Sequence, residues 1–110
     1  MSRTTTEKIL RSSGNVFADM ELPDAEELDT KARLGAAISL IVERKHLTQA
    51  EVATALGINQ PKVSALLRYK LEGFSVERLM HFIVALGQDV EIVVRDKPRS
   101  RSARIAVKAA

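Results

Sequence analysis

Apolar residues recur at helical spacing in four stretches of this chain. The first comprises Leu28, Ala32, Gly35, Ile38, Ile41 and Val42, one face of a helix that buries a stripe. Pro23-Asp24 opens it, with Asp24 as N-cap and Glu27 three residues on to close a capping box. The polar run Glu43-Arg44-Lys45-His46 ends it. Val52, Ala53 and Leu56 form a second, shorter stripe between Thr48, a cap paired with Glu51, and Gly57, a helix stop. Val63, Leu66 and Leu67 form the third. Asn59 caps that helix, and Pro61 occupies its first turn, where a missing N–H costs nothing. Val76, Leu79, Met80, Ile83 and Leu86 form the fourth, between Ser75 as cap and Gly87 as stop. Lys70 to Phe74, with Gly73, reads as a loop.

The period then changes. Asp89 to Arg95 is rich in β-branched residues, with Val90, Ile92 and Val94 on one side, and predicts a short C-terminal β-strand. Residues 1–22 hold no sustained period, Val16, Phe17 and Leu22 being their main apolar residues. The run after Pro98 is rich in Ser, Arg and Ala. The expected organisation is an N-terminal arm (1–22), one mainly α-helical domain ending in the strand (23–95), and a basic flexible tail (96–110).

Composition narrows the function. At 110 residues with no cysteine, the chain suits one domain and excludes disulfides and thiolate-bound zinc. MSRTTTEKIL has no apolar run of signal-peptide length, and no segment reaches the ~20 apolar residues of a membrane span. A cytoplasmic protein without membrane partners is expected. The net charge of +3 is unevenly placed. Residues 95–110 hold six basic side chains and one acidic, and residues 46–72 hold three and two. His46 and His81 lie far apart with no carboxylates at ligand spacing, so no metal site is expected. No serine stands in a nucleophile-elbow setting. Met80 and Phe82 read as packing residues. Neither an enzyme nor a cofactor is expected.

The segment TQAEVATALGINQPKVSALL, Thr48 to Leu67, joins two short helices through a tight corner. Ala53 is small where the helices touch, and Gly57 makes the turn. Val52, Leu56, Ile58, Val63 and Leu66 peg both sides. At Gln49, Ala53, Gly57, Ile58, Val63 and Leu66 the segment resembles the helix-turn-helix of the lambda repressor and Cro type, the XRE family. The resemblance implies a lambda-repressor-like helical bundle that binds double-stranded DNA. Over roughly residues 15–95, through VFADMELPDAEEL and GFSVERLMHFIVALGQDVEIVVR, the chain looks like the HigA-type antitoxin branch. That branch implies a repressor of its own operon and a RelE-fold ribonuclease toxin as partner. The alternative is a stand-alone transcriptional regulator with no toxin. An adaptor that has lost DNA binding is a further possibility.

The third helix can also be read by its geometry. With Val63, Leu66 and Leu67 facing the core, Pro61, Ala65 and Arg68 point directly away. Lys62, Ser64 and Tyr69 flank them, and Gln60, after Asn59, projects from the N-terminal end. Such a helix meets bases mainly near its N-terminus. Gln60 suits adenine, Lys62 and Arg68 suit guanine or phosphate, and Ala65 suits a thymine methyl. Gln49 takes the family's phosphate-contacting position. The strand Val90, Ile92 and Val94 has no obvious mate in its own chain, so it is expected to pair with a second copy in a homodimer, with Val16 and Phe17 as the rival mate. Asp24, Glu26, Glu27 and Asp29, beside Val16, Phe17 and Leu22, form a candidate toxin-facing surface.

Overall fold

A computed structural model describes residues 24–109. The N-terminal arm, with Val16, Phe17 and Leu22, lies outside the described residues. Four helices follow in order. They are α1 (Ala25–Arg44), α2 (Gln49–Leu56), α3 (Gln60–Leu67) and α4 (Val76–Ala85). The most extensive packing is α1 on α4, then α2 on α3, with α1 also touching α3 and α2 touching α4.

Every helix sends its apolar stripe to one core. Ile38 of α1, Val52 of α2, Val63 and Leu66 of α3, and Leu79 of α4 are the largest fully buried side chains. Each contributes about 1.5–3 kcal/mol by leaving water. The loop after α3 does more than connect, because Leu71 and Phe74 are also core residues. Phe74 meets Phe82 edge-on, with centroids 5.8 Å apart. The Arg78 guanidinium lies over both rings, at 5.7 and 5.4 Å. Phe82 is thus packing, as its place in the pattern suggests.

Three expectations need correction or addition. Asp24 adopts left-handed backbone (φ 53°, ψ 36°) and makes no side-chain cap bond. The capping box with Glu27 therefore does not form, because a cap needs extended backbone to aim its carboxylate at the first amides. Asp29 is not on the outer face. It is buried with Arg33, whose Nε donates to Oδ2 at 2.9 Å. The C-terminal strand is not formed within one chain. Among the described residues there is no strand, and Val90, Ile92 and Val94 are exposed. A strand needs a hydrogen-bonded neighbour, and β-branched composition alone does not supply one.

Beyond α4 the chain is irregular, with a turn at Arg99-Ser100. It does not remain wholly in solvent, since Val107 packs partly buried against the core. Among the described residues no helix is long and apolar enough to cross a membrane. No group of three or more His, Asp or Glu residues gathers there at metal-binding distance.

Candidate nucleic-acid interface

The corner between α2 and α3 is built from local chemistry. Thr48 and Glu51 cap α2 reciprocally. The Glu51 amide donates to Thr48 Oγ1 at 3.1 Å, and the Thr48 amide donates to Glu51 Oε1 at 2.9 Å. Gly57 ends α2 in the left-handed region (φ 68°), where no Cβ clash arises. The Ile58 amide donates to Ala53 carbonyl oxygen at 3.1 Å and folds the chain back. Asn59 then starts α3, its Oδ1 accepting from the Lys62 amide at 2.9 Å. Val52, Val63 and Leu66 are buried beneath the corner, with Ala53, Leu56 and Ile58 packed against them. Six of the seven residues expected to shape the motif thus pack on its inner side, and Gly57 makes the turn from an exposed position.

That packing fixes which part of α3 meets solvent. Gln60, Pro61, Lys62 and Arg68 are exposed, while Ser64 and Ala65 are half-buried. Gln60 and Lys62 project from the N-terminal turn. Arg68 is the C-cap, and its Nε donates to the Ser64 carbonyl at 3.3 Å. That bond steadies the guanidinium against the helix while its planar fork stays in solvent. From Gln60 to Arg68 the helix rises about 12 Å, enough to follow several base pairs along a groove. Gln49 is exposed at the first position of α2, where helix amides and dipole favour a phosphate.

Two of the expected contact residues have a structural duty as well. Asn59 spends its side-chain oxygen on the α3 cap, so only its amide nitrogen faces outward chemistry. Tyr69 takes left-handed backbone (φ 60°) after the C-cap, and its ring packs partly buried beside Gly35 of α1. A Cβ at Gly35 would lie 3.4 Å from Tyr69 Cδ1 and 3.3 Å from Leu71 Cδ1. The structure thus brings Gln49, Gln60, Pro61, Lys62 and Arg68 onto the exposed corner and turns the Tyr69 ring inward. The reversal was not visible in a helical projection, which assumes that the helix continues through Tyr69.

Lys45 is a residue that the sequence pattern did not single out. Its Nζ donates to the Leu86 carbonyl at 2.6 Å. A cation at the C-terminal end of α4 complements that helix's dipole. The bond ties the end of α1 to the end of α4. Its only sequence signal is a lysine just after α1, and that does not name a partner 41 residues away.

A bundle whose second and third helices form this capped, glycine-turned corner, with polar side chains along the exposed face of the third, is a helix-turn-helix DNA-binding domain. A family model described as a helix-turn-helix domain matches residues 16–95. A solved structure described as an XRE-family transcriptional regulator is 65% identical, with a TM-score of 0.76. The match covers 80% of this chain and 100% of that one. No curated protein matches the chain. The chain belongs to the helix-turn-helix domain family, in its XRE type.

Proposed function

We propose that this protein is a sequence-specific repressor that reads double-stranded DNA with α3. The observation that carries the reading is the exposed set Gln60, Lys62 and Arg68 on a helix held by a doubly capped corner. Gln60 would pair with adenine N6 and N7 in the major groove. Lys62 and Arg68 would take guanine or phosphate, and the half-buried Ala65 leaves room for a thymine methyl. Gln49 at the start of α2 would hold a backbone phosphate and set the register. Tyr69 belongs to this surface only through its outer edge, and Asn59 only through its amide.

Gel shifts on a duplex from the protein's own promoter test this. Gln60→Ala and Arg68→Ala should each weaken specific binding by about 1–3 kcal/mol. Gln49→Ala should weaken promoter and scrambled duplexes alike, because a phosphate contact carries no base information. Three variants that bind like wild type would rule out this docking.

The working form is a homodimer joined through Val90, Ile92 and Val94, whose exposure in the single chain supports a mate in a second copy. Such a dimer sets two recognition helices on half-sites about 34 Å apart or a multiple of that. In the cell the repressor acts as the antitoxin of a RelE-fold ribonuclease. The resemblance of residues 15–95 to HigA-type antitoxins supports this role. So do Asp24, Glu26 and Glu27, which leave an acidic, exposed start to α1 suited to a basic RNA-binding partner. Asp29 drops out of that surface because Arg33 occupies it. A neighbouring gene whose product copurifies and is toxic alone separates this role from a stand-alone regulator.

A further inference from the structure

The folded body is the wrong sign for its partner. Residues 24–94 hold eight basic and ten acidic side chains, a net of −2. Duplex DNA is a dense polyanion, and most non-specific affinity comes from cations that displace its counterions. The corner offers few. Lys62, Arg68 and Lys70 are its basic residues, against Glu51 and Glu72. The surplus is carried instead by residues 95–110, at a net of +5.

That segment is an exposed excursion with both ends held. It leaves the body after Gly87 and turns at Arg99-Ser100. It then returns, so that Val107 packs against the core. Between these anchors, Arg95, Lys97 and Arg99 are exposed and stand at every second residue. In extended chain, alternate side chains share one side at about 7 Å spacing, similar to the step between successive phosphates on one DNA strand. Pro98 favours extended backbone at Lys97. Arg101, half-buried beside the turn, donates to the Ser102 carbonyl at 3.1 Å, a local bond with no acidic group in it. Asp96 and Pro98 separate the first three cations, and the small Ser100, Ser102 and Ala103 between Arg99 and Arg104 let a backbone come close.

We propose that residues 95–108 form a second DNA contact, a basic arm that grips the phosphate backbone beside the site read by α3. The arm supplies affinity without base information, and the corner supplies the choice of sequence. Anchoring at Val107 keeps the cations near the body, so less chain entropy is lost on binding than for a free tail. This inference rests on the DNA-binding reading.

The test is fluorescence anisotropy of the full chain with the promoter duplex and a scrambled duplex, across a salt series. The variant is Lys97→Gln/Arg99→Gln/Arg101→Gln, with its helix content checked by circular dichroism. The expected result is a log K against log salt slope shallower by about 2–3, with the promoter-to-scrambled ratio unchanged. A triple variant whose slope equals that of a wild type that still prefers its promoter overturns the arm alone. A triple variant that keeps its slope but loses a copurifying acidic protein assigns the segment to that protein and also overturns it. A wild type with no preference for the promoter overturns the sequence-reading function, while a salt slope that still responds to the triple variant upholds the arm.

Discussion

Asp29 and Arg33 place opposite charges inside the bundle, one turn apart on α1 and 2.9 Å from each other. Their side chains are only 8% and 7% exposed. Desolvating two ions costs several kcal/mol each, and the pair recovers that only through close geometry. Removing one member is therefore much worse than removing both. Asp29→Ala should lower stability by about 3 kcal/mol, seen as a fall in the urea midpoint. Asp29→Leu/Arg33→Met should recover most of the loss. A single variant within about 0.5 kcal/mol of wild type would mean that the pair contributes nothing to folding. The same burial explains why an acidic cluster in sequence is a poor guide to a surface. Asp24, Glu26, Glu27 and Asp29 look alike as letters. Only the packed helix tells that the fourth faces Arg33 while the other three face solvent.

At the scale of the element, the four helices among the described residues end in one way. An amide one residue past the C-cap in α2, and two past it in the other three, reaches back five positions, as Leu47 to Val42, Ile58 to Ala53, Lys70 to Ala65 and Gln88 to Ile83. The residue before each of those donors has positive φ, and two of the four, Gly57 and Gly87, are glycines. Those two stops were legible in the sequence because glycine advertises the conformation. His46 and Tyr69 occupy the same position with φ 53° and 60°, and nothing in their chemistry announces it. The starts divide similarly. Thr48, Asn59 and Ser75 cap as their side chains suggest, since a cap bond spans only three residues. Asp24 does not, because its backbone has already turned left-handed. A side chain at positive φ costs about 1–2 kcal/mol, partly offset in glycine by unfolded-chain entropy. His46→Gly, on an exposed side chain, should therefore raise stability by about 0.5–1 kcal/mol. Tyr69→Gly gains the same relief but loses the ring packed over Gly35, so it should lower stability. Thermal melts of the two variants moving in the same direction would contradict this account.

For the whole molecule, the corner could be read from the chain because every part of it is local. The region after α4 could not, because its conformation depends on what it meets. Val107 shows this within the chain, packing on the core from a segment whose composition reads as solvated. Residues 90–94 show it at the surface. Ile92 is 74% exposed and Val94 92%, a run of β-branched residues with its backbone unpaired by any strand among the described residues. An exposed, unpaired apolar run of this kind is a template for pairing with another copy. An antiparallel pairing about a two-fold axis would satisfy both backbones and bury both sets of side chains. Ile92→Pro tests it without disturbing the bundle, since Ile92 contributes little to the core. A proline removes a ladder donor and breaks central pairing. The variant should melt like wild type as a monomer, yet elute at half the mass in light scattering at tens of micromolar, a range set by mass action. Its operator affinity should fall steeply, because each half-site then binds alone. A wild type that is monomeric under those conditions, or an Ile92→Pro variant that remains dimeric, removes this strand from the interface.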